Sequence, residues 1–279
     1  MERRKIIELL NLDLQDEHGA IIQYLGHAYA MGQDVIACEI EAIARQEMRH
    51  FDWLAETIAD LGGAPSLKRG AMSPGGQSVP DWMEHDILLE KMAIEHYKEH
   101  SLMTEDVRLR RLLQRIAADE EAHRAKFESL IERARNEGAT DRRGARQDNV
   151  ARTLNWGIGH EYTVILQYLF HAYMIKSRES SRQLEDQAID EMQHLGWLAE
   201  ALVGGGGSPV MEPGRTDQST RTVDMLRADI RTEKEAAGEY DSAAKNIEEP
   251  GLKALLQRMR DNKKYHLDIF SDLLKKEER

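Results

Sequence analysis

Two short motifs of the form Glu-x-x-His could bind a metal ion. Glu47 is followed three residues later by His50, and Glu120 is followed in the same way by His123. Side chains three positions apart lie on one face of an α-helix, so each pair can present a carboxylate and an imidazole together. Both groups are common ligands of divalent transition metals in proteins. The spacing therefore predicts two helices that supply ligands to a metal site.

Two further glutamates extend this ligand set. Glu17 and Glu90 fall on otherwise apolar helical stripes, where an unpaired carboxylate is costly to bury. Two divalent cations balance the negative charges of four carboxylates, so a dinuclear cluster makes their burial possible. Glu-x-x-His also occurs by chance on solvated helices, but two copies with matched partners favour a site. The predicted ligands are Glu17, Glu47, His50, Glu90, Glu120 and His123.

The chain contains an internal sequence repeat, so each predicted ligand position has a counterpart in the second half of the chain. Segment 17–29 aligns with 161–173, and 47–56 aligns with 191–200, both at an offset of 144 residues that becomes 143 after a glycine-rich stretch. The position that matches Glu120 is Lys263. The other counterparts keep the ligand type and are Glu161, Glu191, His194, Glu233 and His266.

Lys263 predicts that the second repeat has no dinuclear centre. Its ammonium group would repel a second metal ion and can itself act as the counter-cation of the remaining carboxylates. We favour this structural role for the second repeat. A mononuclear site that uses Glu191, His194 and His266 is the alternative.

The hydrophobic pattern provides helices for both repeats. Charged residues make up 32% of the chain and there are only 6 prolines, which favours an all-α fold. Apolar residues recur at three-and-four spacing in eight segments. These predicted helices are roughly 3–31, 35–61, 80–104, 107–135, 147–177, 181–203, 219–247 and 250–276.

Each repeat is expected to form a four-helix bundle with a long crossover. The connection between its second and third helices has about 18 residues and can span up to roughly 60 Å, more than the length of a helix of about 27 residues. This permits the up-down-down-up order. We expect bundles at 1–135 and 149–279, a polar linker at 136–148, and a pseudo-two-fold relation between the bundles.

Charge and composition exclude several classes of function. The net charge of −12 disfavours nucleic acid or an anionic membrane as a partner and attracts cations. Cys38 is the only cysteine, so a disulfide or cysteine-metal cluster cannot form within one chain. No apolar run approaches the length of a membrane span. We expect a cytoplasmic protein.

The motifs of both repeats resemble those of bacterioferritin, a member of the ferritin-like di-iron carboxylate family. The resemblance is carried by Leu10-Asn11-x-x-Leu14-x-x-Glu17, Gln23-Tyr24, His27-Ala28, Glu47-Met48-x-His50, the segment 86–90 and Asp119-Glu120-Glu121-x-His123. It implies a ferroxidase-type centre in the first repeat, where two Fe(II) ions are oxidised by oxygen or peroxide. Such a protein would serve iron handling or oxidative-stress defence, and its partners could include an electron donor and a homo-oligomer or protein shell.

Two aromatic or histidine positions have more than one interpretation. Tyr24 could be a redox-active phenol, but we favour a packed ring whose hydroxyl group hydrogen-bonds a ligand carboxylate. His27 and His171 are expected to be helix-surface histidines rather than ligands.

Haem and manganese are alternatives to the di-iron interpretation. Met48 and Met192 occupy the position at which bacterioferritin has its haem-ligating methionine, so a haem-binding electron-transfer module is one possibility. A methionine there can equally pack at a contact between bundles. The same ligands also suit manganese in a peroxide-disproportionating enzyme. Neither repeat shows a clear fifth helix, which argues against a closed iron-storing cage.

Overall fold

The protein is all-helical in the computed structural model, which describes residues 2–278. Within these residues there are eight α-helices and no β-strand, which confirms the predicted fold class. Predicted and observed helix ends differ by up to three residues. The helices are α1 (Arg3–Met31), α2 (Val35–Asp60), α3 (Val79–Met103), α4 (Val107–Glu137), α5 (Asn149–Met174), α6 (Arg178–Gly204), α7 (Thr222–Lys245) and α8 (Pro250–Glu277).

The chain divides into two compact units between Arg143 and Gly144. The first bundle contains α1 to α4 and the second contains α5 to α8. Helix α4 ends where Gly138 adopts the left-handed conformation, with φ of 72°. Helix α5 begins after Asp148, whose carboxylate accepts a hydrogen bond from the Ala151 amide and caps the helix. The division therefore falls within the segment that has a linker-like sequence.

In the first bundle, the connection between α2 and α3 runs along α1. The Gly70 amide donates to the Gln15 carbonyl oxygen at 2.7 Å, and the Ser73 amide donates to Gln23 Oε1 at 2.6 Å. A side chain at Gly70 would place its Cβ atom 2.6 Å from that carbonyl oxygen, so only glycine allows this approach. Because the connection crosses the length of the bundle, the helices follow the predicted up-down-down-up order.

The second bundle uses the same path. The Val210 amide donates to Asn155 at 2.8 Å, and the Asp217 amide donates to Gln167 at 2.8 Å, so this connection also follows its first helix, α5. Helix α8 then starts at Pro250, a position where the missing backbone donor costs nothing. The two sequence repeats therefore share the same helix order and the same path of the crossover connection.

Helix α1 is buried partly by the other helices of the bundle and partly by the crossover connection. Leu10 and Leu14 are fully buried at helical spacing, and each such side chain contributes about 1.5–3 kcal/mol on burial. Farther along, residues 21–25 are all buried, because the crossover covers the face of α1 that helices leave open. Among the described helices, none has an apolar stretch that could cross a bilayer.

Candidate metal centre

All four helices of the first bundle contribute to the predicted site, and their ligands come together. Helices α1 and α3 each supply one glutamate, whereas α2 and α4 each supply a Glu-x-x-His pair. No member of this set is more than 4% exposed. In chain order the set is Glu17, Glu47, His50, Glu90, Glu120 and His123.

These side chains form two overlapping groups. Within each group, one ligand atom from every residue lies within 4.8 Å of the others. Glu47 and Glu120 belong to both groups, so their carboxylates are positioned to bridge two ions. The first group is completed by Glu17 and His50, and the second by Glu90 and His123.

Both imidazoles direct Nδ1 into the cluster. Nδ1 of His50 lies 2.9 Å from Glu47 Oε2, and Nδ1 of His123 lies 2.8 Å from Glu47 Oε1. The opposite ring nitrogens face Asp119 at 3.4 Å and Gln46 at 3.1 Å. Contacts of this kind fix the orientation of metal-ligating histidines. Asp119 and Gln46 were not among the sequence-based candidates, although each directly precedes a predicted ligand.

Two buried tyrosines form hydrogen bonds to Glu17 and Glu90, the glutamates that each belong to only one of the two ligand groups. The Tyr24 hydroxyl group donates to Glu90 Oε1 at 2.7 Å, and the Tyr97 hydroxyl group donates to Glu17. Burial, together with the neighbouring carboxylates, raises the pKa of both phenols, which keeps them protonated as donors. This is the contact favoured for Tyr24 from the sequence. Tyr97 was missed, although a tyrosine occurs at the same position in both repeats.

The buried carboxylates of the cluster need neighbouring positive charge in order to ionise. Burial, reinforced by neighbouring carboxylates, raises the pKa of Glu17 and Glu90 well above their ordinary value. Burial also acts to raise the pKa of Glu47, but the adjacent imidazoles of His123 and His50 outweigh it and lower that pKa to about 2. For His123, burial acts to lower the pKa, but the adjacent carboxylates of Glu120 and Glu47 outweigh it and raise that pKa to about 10. The carboxylates can ionise together only beside cations.

Two carboxylate oxygens provide a direct test of whether metal fits. Oε1 of Glu47 and Oε1 of Glu120 are buried but accept no hydrogen bond, although imidazole nitrogens lie 2.8 Å and 3.1 Å away. Leaving a buried acceptor without a donor is costly. Both atoms belong to the residues shared by the two groups. The donor set of carboxylates and imidazoles suits iron, so the residues fit a dinuclear iron centre.

The expectation that His27 and His171 lie on the helix surface is wrong. His27 is 3% exposed, and its Nδ1 lies 2.9 Å from Asp86 Oδ2, while Gln23 donates to Asp86 Oδ1 at 2.7 Å. His171 is likewise buried, with Nδ1 3.0 Å from Asp229. These contacts fasten the third helix of each bundle to its first, one turn before the ligand glutamate. Neither histidine belongs to a group of candidate metal ligands within residues 2–278.

In the second bundle, Lys263 lies at the centre of the corresponding cluster. Its Nζ atom is 2.6 Å from Glu161 Oε2, 2.7 Å from Glu191 Oε1 and 3.8 Å from Glu233 Oε1, and the side chain is fully buried. Burial acts to lower the pKa of the lysine, but the attraction of these carboxylates outweighs it and raises the pKa. The ammonium group therefore stays charged in the place where the first bundle has Glu120, a carboxylate shared by both ligand groups.

The remaining ligand types of the second bundle are still gathered around this lysine. His194 Nδ1 lies 2.6 Å from Glu191 Oε2, and His266 Nδ1 lies 2.9 Å from Glu191 Oε1. Tyr168 and Tyr240 donate to the terminal glutamates, as their counterparts do in the first bundle. The second bundle thus preserves the geometry of the cluster around a cation that belongs to the chain.

Comparison with known proteins agrees with this geometry. A family model described as a ferritin-like domain matches residues 7–136 and, a second time, residues 151–279. The chain belongs to the ferritin-like family. Its two ferritin-like domains correspond to the two bundles, and the double match shows a tandem duplication.

Curated relatives of this ferritin-like chain include several bacterioferritins. That of Desulfovibrio desulfuricans is 33% identical over 144 residues, which cover 50% of this chain and 80% of the relative. That of Mycobacterium bovis is 30% identical over 133 residues, covering 46% and 84%. The bacterioferritin of Streptomyces coelicolor is 33% identical over 125 residues, covering 43% and 75%. Each relative matches about half of the chain.

Solved structures similar to the ferritin-like chain are also bacterioferritins. The structure from Desulfovibrio desulfuricans, described by its di-iron site in different catalytic states, has a TM-score of 0.44 at 33% identity and covers 48% of this chain and 82% of its own. The structure from Rhodobacter capsulatus, described with a metal-free dinuclear site and haem iron, has a TM-score of 0.43 at 26% identity and covers 48% of this chain and 87% of its own. The curated bacterioferritin relatives give the manganese alternative no support.

The haem prediction concerns two methionines that lie beside ligand glutamates of the ferritin-like domains. Met48 on α2 and Met192 on α6 are each half-buried. Their positions in the two domains correspond, as the sequence repeat requires. Haem binding through Met48 and Met192 stays a prediction.

Proposed function

We propose that the first bundle binds two iron ions and oxidises Fe(II) with oxygen or peroxide as the oxidant, in the manner of a ferroxidase. The observation that carries this proposal is the pair of overlapping, fully buried ligand groups that share Glu47 and Glu120. The bacterioferritin relatives, one of them described by its di-iron site, support iron as the metal. The protein would act in iron handling or in defence against oxidative stress.

The chain's own residues would position the ions and exclude water from them. When bound, two ferrous ions supply the two electrons that reduce oxygen to hydrogen peroxide, or peroxide to water, with uptake of two protons. Glu47 and Glu120 would hold the two ions at a fixed separation, because each carboxylate faces both groups. Tyr24 and Tyr97 would keep the terminal glutamates in place through their hydrogen bonds.

For the second bundle, a structural role is the proposal that fits Lys263. Its ammonium group contacts two carboxylates at hydrogen-bonding distance and satisfies the charge that metal would otherwise satisfy. A mononuclear site at Glu191, His194 and His266 would place an ion against this ammonium group, which Coulomb repulsion opposes. We therefore expect no Fe(II) oxidation at the second bundle.

The proposed function is tested by iron stoichiometry after aerobic loading with Fe(II). We expect elemental analysis to find about two irons per chain in the unaltered protein, as the two ligand groups require. Glu47→Ala removes a ligand from both groups and should reduce the iron to less than one per chain. The control Glu128→Ala removes an exposed carboxylate of α4 and should change nothing. Iron that binds equally well without Glu47 would overturn the proposal.

A second prediction concerns Tyr24. Tyr24→Phe removes the hydroxyl donor to Glu90 and leaves all six ligands, so we expect about two Co(II) ions to bind with roughly 10- to 100-fold lower affinity at the weaker position. Calorimetric titration with Co(II) measures this change. Tyr265→Phe, at an exposed position of α8, is the control. Unchanged affinity combined with slower Fe(II) oxidation would instead assign Tyr24 a redox role.

A further inference from the structure

A small cavity connects the surface of the first bundle to the metal ligands. Its volume is about 80 Å³, and it is lined at one end by Asp16 and His96, whose side chains are 55% and 43% exposed. At the other end it is lined by the ligand carboxylates, including the shared pair whose Oε1 atoms accept no hydrogen bond. These carboxylates are Glu17, Glu47, Glu90 and Glu120. The cavity therefore leads from solvent to atoms that lack a partner.

The outer end of this cavity presents a pair of metal-binding atoms. Oδ2 of Asp16 and Nδ1 of His96 lie 3.7 Å apart. An ion bound about 2.1 Å from each atom would hold them roughly 3 to 4 Å apart, depending on the angle between the two bonds. The observed separation suits an ion shared by both groups, without rearrangement of either helix.

A second pair of an aspartate and a histidine is more buried than the first. Asp13 also lines the cavity and is 2% exposed, and His100 Nδ1 lies 2.9 Å from its Oδ1 atom. The His96 and His100 rings stack with their centroids 5.9 Å apart. We refer to Asp13, Asp16, His96 and His100 as the uptake cluster. None of its members belongs to the two ligand groups of the dinuclear site.

The second bundle provides an internal comparison, because it lacks one ligand of the dinuclear set and none of the four uptake-cluster residues is conserved in it. No aspartate remains there, and the only histidine occupies the position of Asp16. The counterparts, in the same order, are Gly157, His160, Glu239 and Ala243. The inner pair, Asp13 and His100, therefore has no counterpart in the second bundle, whereas the carboxylate and the imidazole of the outer pair are exchanged between the two helices.

The corresponding surface of the second bundle is covered by an aromatic side chain. Trp156 stacks on His160 with ring centroids 5.4 Å apart and contacts Tyr240 edge-on at 5.1 Å. Tyr240 is the counterpart of Tyr97, which lines the cavity of the first bundle. The position of Trp156 is Leu12 in the first bundle, and its indole ring occupies space beside the phenol. We predict no dinuclear site in the second bundle, so we expect no cavity that leads to one.

We propose that the uptake cluster is a capture site for divalent cations, at which Asp16 and His96 bind the arriving ion and pass it through the cavity to the dinuclear centre. This proposal rests on the proposed function, since it assigns the route by which Fe(II) reaches that centre. Negative charge in a cleft with low-dielectric walls concentrates cations and accelerates their association. Asp13, held by His100, adds to this field next to the ligand carboxylates.

The test measures the loading of Co(II) without oxygen, so that binding is followed independently of oxidation. In the double variant Asp16→Asn/His96→Gln, we expect stopped-flow absorbance to show loading about 10-fold slower than in the unaltered chain at low salt. The final stoichiometry should stay at the unaltered value, because no dinuclear ligand changes. Glu239→Gln removes a carboxylate at the counterpart of His96 and should load at the unaltered rate.

The outcomes separate this proposal from the function on which it rests. Equal loading rates in the double variant and the unaltered chain would overturn the capture site and leave the dinuclear centre standing. A lower final stoichiometry in the double variant would also overturn it, since these residues would then belong to the centre itself. Failure of the unaltered chain to bind Co(II) in a manner that depends on Glu47 would remove the proposed function, and the capture site with it.

Discussion

Replacing Lys263 by glutamate is expected to give the second bundle a dinuclear metal centre of its own. The substitution removes the ammonium group that lies 2.6 Å from Glu161 and 2.7 Å from Glu191, and it places there the carboxylate that the first bundle has at Glu120. Five of the six ligand residues are already in place there, and the corresponding tyrosine hydrogen bonds hold two of them, Glu161 and Glu233. Metal bound per chain should therefore rise from about two ions toward four.

Stability should become dependent on metal in the same variant. Without a cation, Lys263→Glu places four carboxylates in one buried cluster, which their mutual repulsion opposes. We expect a lower unfolding temperature for the second bundle in the presence of a chelator, and recovery when Co(II) is added. Differential scanning calorimetry with and without Co(II) measures both effects.

Two controls distinguish a gained metal site from a general change of charge. Lys264→Glu makes the same charge change at an exposed neighbour and should leave stoichiometry and stability as they are. Lys263→Met removes the buried cation without adding a ligand, which should cost about 3–5 kcal/mol and gain no metal. If Lys263→Glu folds but still binds only two ions, the ligand geometry of the second bundle is not sufficient for a centre.

The reciprocal substitution, Glu120→Lys, is expected to abolish the dinuclear centre while the first bundle stays folded. It removes a carboxylate shared by both ligand groups and adds an ammonium group that repels the ions. Fe(II) oxidation should fall by more than about 100-fold, beyond the loss expected for an outer hydrogen-bond partner. The fold should persist because the second bundle holds a lysine at this position between the counterparts of Glu17 and Glu47.

This prediction is checked by measuring Fe(II) oxidation and thermal unfolding on the same sample. Glu121→Lys changes the exposed neighbour and should retain oxidation, which controls for the added positive charge on α4. Loss of oxidation with an unfolded first bundle would show that the lysine cannot replace the metal in that bundle. Retained oxidation would mean that Glu120 is not a bridging ligand.

Much of the fold and the site could be predicted because their signals are local. The Glu-x-x-His spacing places two ligands on one helical face, and Glu17 and Glu90 stand out as charges on apolar stripes. The repeat then identified Lys263 as the one position where the ligand type differs. Each of these inferences needs only helical periodicity and an alignment of the chain with itself.

The contacts that support the ligands could not be predicted in the same way, because they join residues from different helices. His27 was expected on the surface, since nothing in its own helix shows that Asp86 lies 2.9 Å away. Asp119 and Gln46 contact imidazoles across the bundle, and the sequence does not specify which polar neighbour of a ligand makes such a contact. Tyr97 could have been found from its recurrence as Tyr240.

The buried lysine also affects how the second bundle can evolve. Glutamate codons and lysine codons differ by one base, so a single point mutation separates Lys263 from the carboxylate that the rest of its cluster still fits. The surface above that cluster also differs from the first bundle at several positions, among them Trp156, Gly157 and Ala243. A revertant would thus recover its ligands in one step, yet it would load slowly until several more codons had changed.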